Sequence, residues 1–437
     1  MTVHTLHVFD VDKAVGQLRY DSQDEAFEFA YAPEWGDKGD AYSISPHIPI
    51  DGPAASSSTV RRFVENLLPE GRALDIVSTT YQVSRNNIYG LIRELGRETA
   101  GALAFRTDAT PATPRNECRE VTHAELAERI AERAQLPFSV WDGRVRMSIA
   151  GYQDKLAVYI DDDRLYLVEG ELASTHILKP EPEDERLSHL VANEHFCMTL
   201  AAHTGVPAAH VSILRLPSPV LVIRRFDRQV LIDGVRRLHI IDACQALNFP
   251  VSYKYERNFG SGRDVREIRD GVSFPRLFSL VEFTVQKALT RLALVRWALF
   301  QYLIGNSDAH GKNLSFFCGH SGLALAPAYD LVSVVQYPHV AHDLAMAYGD
   351  EFSLDAVRPY DWAKFAALTQ TPRPLLAREM RRMAKAVPLV AMNLAQSEVY
   401  ADDEKPLVQQ IARWVDEQAK RLAAAAGPML EVDGDSL

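Results

Sequence analysis

The 437 residues suggest two or three domains, and 47% hydrophobic with 24% charged residues is an ordinary globular balance that can bury a core without disulfide or metal staples. With 58 acidic against 47 basic residues the formal charge is −11, which argues against a free-standing nucleic-acid binder but leaves room for a basic partner. No run approaches the ~20 apolar residues of a bilayer span, Met1 to Lys13 has no secretory pattern, and Cys118, Cys197, Cys244 and Cys318 form no CxxC pair, so a reducing cytoplasm is expected, with each cysteine a small buried hydrophobe.

In chain order, Thr5–Asp10, Gly16–Tyr20 and Ala26–Tyr31 have strand composition. Ser56–Leu68 reads as a helix started by its serines and stopped at Pro69-Glu70-Gly71, and Asn86–Leu95 as a second helix closed by Gly96. These make an α/β domain over 1–107. A linker and connecting helix are expected over 108–140, with Thr107–Arg115 as the Pro-bearing link. A second unit, 141–226, carries strand patterns at Val145–Ala150, Lys155–Ile160, Arg164–Val168, Thr175–Lys179, Val211–Leu216 and Val220–Phe226. Asp161-Asp162-Asp163 is read as a turn, and Ser188–Thr204 as a helix ended by Gly205. From 227 to 437 the chain turns mainly helical, apart from a strand pair at Leu314–Phe317 and Leu323–Ala326. Strands first and helices afterwards predict an α+β, two-lobed arrangement.

The densest polar cluster is Gly305-Asn306-Ser307-Asp308-Ala309-His310-Gly311-Lys312-Asn313, just after the apolar helix Leu292–Ile304. Loops of this kind carry catalytic groups. Asp308 precedes Asn313 by five positions, the separation of the catalytic-loop Asp and the Mg²⁺-binding Asn in protein kinases. Asp330 follows the expected hairpin and suits a second hard-oxygen ligand. Taken alone, the pair also fits a polar turn that caps a helix. Upstream, Lys179 ends a strand pattern and could meet phosphates, with Glu194 as a possible ion-pair partner. The segment Ser148 to Lys155 places Gly151 on a strand-turn-strand, where turn amides can face phosphate oxygens. Neither GxGxxG nor a Walker A motif is present.

These pieces occur in one order, and in that order the sequence resembles the HipA family of bacterial serine/threonine protein kinases, the toxin half of toxin–antitoxin pairs. The matching motifs are Tyr31-Ala32-Pro33-Glu34-Trp35, Asn66-Leu67-Leu68-Pro69-Glu70, Glu94-Leu95-Gly96-Arg97 with Gly101, Ser148 to Lys155, Thr175 to Pro180 and Asn193-Glu194. They continue through Arg225-Phe226-Asp227-Arg228, Asp242-Ala243-Cys244-Gln245 and Lys254-Tyr255-Glu256 to the Asp308 cluster and Tyr329-Asp330. The resemblance implies a kinase-like fold, ATP and Mg²⁺ as cofactors, and a role for each position. Asp308 is the implied catalytic base, and Asn313 and Asp330 the Mg²⁺ ligands. Lys179 meets the ATP phosphates, and Ala150, Gly151, Tyr152, Gln153, Asp154 and Lys155 form the phosphate loop. Arg224, Arg225 and Phe226 form the hinge beside adenine, His310, Gly311, Lys312 and Tyr329 line the nucleotide, and Ser148 is the autophosphorylated serine. An acidic residue is expected where Arg224 stands and a smaller one at Tyr152. Implied partners are a HipB-like, homodimeric DNA-binding antitoxin, DNA only through it, no membrane, and a translation protein as substrate, an aminoacyl-tRNA synthetase first among the candidates.

Two other readings compete. A co-repressor acting in an antitoxin–DNA complex would use the acidic surplus to dock on a basic partner. Within it, Tyr81–Leu95 has a superficial helix-turn-helix look, against which stands a helix simply packed in the first domain. A metal-dependent hydrolase would use Asp308, His310 and Asp330.

Overall fold

The computed structural model describes residues 3–37, 39–109, 117–146, 153–169, 172–232 and 234–436. The chain divides into two compact units: Met1–Pro180 with Leu214–Val251 and Phe316–Ala324, and Glu181–Ile213 with Ser252–Ser315 and Leu325–Leu437.

The first unit holds an antiparallel sheet in the order Ala26–Tyr31, Lys13–Asp21, Val3–Asp10, Leu103–Arg106. The first three strands are those the alternation predicts. The fourth escapes it, because Leu103, Ala104 and Phe105 are all buried and show no alternation. Helix Ser57–Asn66 begins where the serine run predicts, with Ser56 Oγ accepting from Thr59 N at 3.2 Å. The stop at Pro69-Glu70-Gly71 is also a restart: Gly71 takes φ +53° and opens an unexpected helix, Gly71–Tyr81. Helix Ile88–Leu95 is capped by Asn87, whose Oδ1 accepts from Gly90 N at 2.8 Å. All of its residues except Arg93 and Glu94 are buried, so it is a core helix without a free recognition face.

Residues 108–140, expected as linker and connecting helix, also build the next sheet. Five of its six strands run in the order Pro219–Arg224, His176–Pro180, Leu156–Asp161, Arg164–Glu169, Glu117–Val121. Glu117–Val121 is an edge strand paired with Arg164–Glu169, and its polar composition hides it in the sequence. Helix His123–Ala131 is capped by Thr122 and sends Leu126 and Ile130 into a core with Phe138, Trp141, Leu156 and Leu178. The Asp161–Asp163 turn forms as expected, with Asp162 and Asp163 at φ +42° and +65° and Asp161 paired to Arg164. Of the Val145–Ala150 strand, Arg144–Val145 pairs with Val140–Trp141, and residues from Met147 on lie outside the described ones.

The expected division after Phe226 differs from the one the contacts make. The hairpin Arg228–Leu231/Gly234–Arg237, the strand Ile240–Asp242 and Phe316–Ala324 all belong to the first unit. An ion cluster ties the start of this stretch to the first domain. Asp227 and Arg228 are buried with Arg225 against Glu98, Thr99 and Gly101.

The second unit is mainly helical, with Leu190–His203, Phe274–Ser279, Lys287–Ile304, Pro359–Leu368, Arg373–Leu394 and Lys405–Ala425. Phe274, Tyr302, Tyr348, Trp362 and Phe365 form its aromatic centre, with Tyr348 and Trp362 centroids 4.8 Å apart. No described helix is long and apolar enough to cross a membrane. Cys197, Cys244 and Cys318 are buried as expected, whereas Cys118, on the edge strand, is exposed.

Candidate active site

The polar loop begins where helix Lys287–Ile304 stops. Gly305 takes φ +67°, and a Cβ there would stand 2.5 Å from Val335 and 2.7 Å from Trp414, so both conformation and space require glycine. Asn306 then closes the turn. Its N–H donates to Gln301 O at 3.0 Å and its Nδ2 to Gln301 Oε1 at 2.9 Å, while its Oδ1 accepts from Asp308 N at 3.1 Å. From Gln301 to Leu314 every residue is buried except Asp308, which is exposed. The loop therefore presents one carboxylate outward on a rigid polar base, as a group that must reach a substrate hydroxyl requires. Asp308 Oδ1 accepts a hydrogen bond from the Tyr255 hydroxyl at 2.6 Å.

The next turn, Gly311–Asn313, is pinned from several sides. His310 Nδ1 accepts from Lys312 N at 3.3 Å, and Gly311 N donates to Lys254 O at 2.9 Å. A Cβ on Gly311 would meet Val272 at 2.6 Å. Asn313 Oδ1 accepts from His310 N at 3.2 Å, and its Nδ2 donates to Asp330 Oδ2 at 2.7 Å. Asp330 itself sits at φ +58°, a left-handed conformation that Asp tolerates better than most residues. Tyr329, expected to line the nucleotide, has its hydroxyl engaged as a strut: it donates to Lys312 O at 2.6 Å and lies 2.8 Å from Ser315 Oγ. The sequence motif thus closes in space, with Asp308, His310, Gly311, Lys312, Asn313, Tyr329 and Asp330 in one unit.

In donor chemistry the pair suits a hard cation such as Mg²⁺: Asp330 offers a carboxylate and Asn313 an amide oxygen, although here the amide turns its Nδ2 to Asp330 and its Oδ1 to His310 N.

In the first unit, Ser148, Ala150, Gly151 and Tyr152 lie outside the described residues. Gln153 and Asp154 are half-buried and Lys155 is buried, and Gln153 Nε2 donates to Pro180 O at 3.4 Å. Lys179 is buried on strand His176–Pro180, whose Leu178 faces Leu156.

In the expected hinge segment, Arg225 N donates to Thr175 O at 2.9 Å. Its guanidinium serves the fold rather than adenine. It donates to Asp227 Oδ2 at 2.7 Å and Ser174 Oγ at 2.9 Å, and lies 3.6 Å from Glu98. Arg224 is exposed, and Phe226 meets Phe317 edge-on at 6.0 Å. Burial alone would raise the Asp227 carboxyl, but Arg225 and Arg228 outweigh it and hold the group well below the ordinary carboxylate range.

Two participants have no role in the sequence reading. Tyr255 stands in a quoted motif, but its partner lies 53 positions away. Glu98 anchors the arginine cluster from outside any motif.

The HipA N-terminal domain profile matches residues 6–106 and the HipA-like C-terminal domain profile matches residues 147–391. The chain is 41% identical over 388 residues, 88% of each chain, to the serine/threonine-protein kinase toxin HipA of Shewanella oneidensis. It is 30% identical over 415 residues, 93% of this chain and 96% of the other, to the putative kinase Y4mE of Sinorhizobium fredii. Among solved structures, HipA of Shewanella oneidensis in complex with HipB and operator DNA superposes with a TM-score of 0.90 at 37% identity, covering 98% of this chain and 100% of that one. The chain belongs to the HipA family of serine/threonine protein kinases.

Proposed function

We propose that the chain is an ATP- and Mg²⁺-dependent kinase toxin of the cytoplasm that arrests growth by phosphorylating a protein of translation, with an aminoacyl-tRNA synthetase as the first candidate. The observation that carries the reading is the exposed Asp308 on an otherwise buried loop, five positions before an Asn313 that is bonded to Asp330. Asp308 orients the substrate hydroxyl and accepts its proton. Asn313 and Asp330 hold Mg²⁺, which neutralises charge on the ATP phosphates when bound. Lys179 and Lys155 meet those phosphates, together with Ala150, Gly151, Tyr152, Gln153 and Asp154. His310, Gly311 and Lys312 flank the nucleotide. Arg224 to Phe226 face adenine through backbone groups, since the Arg225 side chain is committed elsewhere. Ser148 is the self-phosphorylated residue. A phosphoserine would add roughly −1.5 to −2 charge where the loop meets phosphate, which favours expulsion of that loop and shutdown.

The net charge of −11 suits neutralisation by a basic, DNA-binding antitoxin dimer, and the solved relative's assembly with HipB and operator DNA supports that partner. The same assembly favours a second role as co-repressor, with DNA reached through the antitoxin.

The test is Asp308→Asn, with transfer of labelled γ-phosphate from ATP–Mg²⁺ as the readout. Transfer should fall by roughly 10²–10⁴-fold with nucleotide affinity retained. Transfer at the native rate would remove Asp308 as the base. Proteome-wide phosphosite mapping after induction of the native and variant chains would identify the substrate and report on Ser148.

A further inference from the structure

The segment Tyr253 to Glu256 is held by backbone hydrogen bonds on both sides of Tyr255. Val272 N donates to Tyr253 O at 2.8 Å, Gly311 N to Lys254 O at 2.9 Å, and Gly271 N to Glu256 O at 3.1 Å. Glu256 N donates to Ala345 O at 2.9 Å. The buried Glu256 carboxylate accepts from Ala347 N at 2.8 Å and Arg269 Nε at 2.7 Å. Gly271 passes so close that a Cβ there would overlap the Tyr255 carbonyl. The Tyr255 ring stands edge-on to His310, with centroids 5.1 Å apart, and Lys254 Nζ lies 5.4 Å from the ring centroid. Backbone and ring are both held, so the hydroxyl has a fixed aim, and it ends 2.6 Å from Asp308 Oδ1.

Asp308 needs such a partner. Its backbone N–H is tied to Asn306, but its carboxylate projects from the buried loop. A carboxylate there can rotate, and a base that rotates loses the alignment on which proton transfer depends. One rigid donor on Oδ1 decides which oxygen is left to the substrate.

We infer that Tyr255 is a positioning residue for phosphotransfer: its hydroxyl holds Asp308 Oδ1 and so leaves Oδ2 oriented toward the incoming serine or threonine hydroxyl. The inference rests on the kinase reading above, and it assigns to Lys254-Tyr255-Glu256 the task of carrying that hydroxyl.

The test is Tyr255→Phe in the full chain, which keeps the ring against His310 and deletes only the donor. Three quantities are compared with wild type: the single-turnover incorporation of labelled γ-phosphate from saturating ATP–Mg²⁺ into the chain and into added casein, the KM for ATP, and the thermal midpoint. The transfer rate should fall roughly 10- to 100-fold, with KM and midpoint unchanged. An unchanged rate would overturn the inference. So would a loss of rate accompanied by a lower midpoint or a weaker KM, because that pattern marks a structural or nucleotide-binding role. Tyr255→Ala, which also removes the ring, should lose at least as much rate as Phe, and an Ala variant more active than Phe would count against positioning. A wild-type chain that transfers no phosphate to either acceptor overturns the kinase reading itself, an outcome separate from an active wild type with an unaffected Phe variant.

Discussion

Asp227→Asn is the most exacting test of how the first unit is held together. The carboxylate accepts from Arg225 Nη2 and Nε at 2.7 and 3.0 Å, from Arg228 Nη1 at 2.7 Å and from Gly101 N at 2.9 Å. The guanidinium groups of Arg225 and Arg228 are almost fully buried, so water cannot take over the lost charge. After the change Glu98 alone would face them, at 3.6 and 4.0 Å. Removing one member of a buried ionic cluster strands its partners at a cost of roughly 3–5 kcal/mol, a large part of the ~5–15 kcal/mol that a domain has in total. The assay is urea unfolding combined with hydrogen exchange at the amides of Leu103–Arg106 and Leu221–Arg224. Both should report the loss. The sign with pH follows from the depressed carboxyl. A group whose folded-state pKa is lowered contributes stability that is fully present above its ordinary range and is lost as pH falls through the folded value. Wild type and variant should therefore differ at neutral pH and converge in strong acid. A difference below ~1 kcal/mol at neutral pH, the value of an exposed ion pair, would refute the reasoning.

His239 makes a second pH-dependent contribution, of the opposite charge type. Its Nε2–H donates to Ile44 O at 2.9 Å, Tyr42 stacks on it at 5.0 Å, and Nδ1 meets no partner among the described residues, so burial pushes the imidazole down to about 4. The unfolded chain then binds the extra proton between about 4 and 6.5, so stability is full above that window and falls by about 2 kcal/mol by pH 5. Thermal melts from pH 7.5 to 5 should show this loss in wild type and a smaller one in His239→Gln. Asn313→Ala should raise the Mg²⁺ concentration for half-maximal phosphotransfer by roughly 10–100-fold, and an unchanged Mg²⁺ requirement would remove Asn313 from the ligand set.

The active loop was legible because its chemistry is local. Asp308, His310, Gly311, Lys312 and Asn313 lie within six residues, and a helix stop at Gly305 marks where they begin. Asp330 was legible through the hairpin that spaces it. Tyr255 was not, since nothing within its own neighbourhood reveals a partner 53 residues on. The side-chain partners of Arg225 were only half legible: Asp227 stands two positions on, but Glu98, which also faces its guanidinium, lies more than a hundred residues earlier in the chain. Leu103–Arg106 and Glu117–Val121 escaped because alternation is a signature of half-buried strands, and one of these is wholly buried while the other is a polar edge. Gly71–Tyr81 escaped because a Pro-Glu-Gly punctuation ends one helix without forbidding the next.

The single outward carboxylate on a buried loop also separates two kinds of genetic damage. Substitutions at Asn306 or Gly311 disturb packing and hydrogen bonds that the surrounding fold needs, and so remove the chain along with its activity. A change at Asp308 touches solvent on one side and one tyrosine hydroxyl on the other, so it leaves a folded, inert copy. Where such an enzyme burdens its host, silent but well-folded alleles have a short route of origin, and a surviving gene is not by itself a sign of a surviving activity.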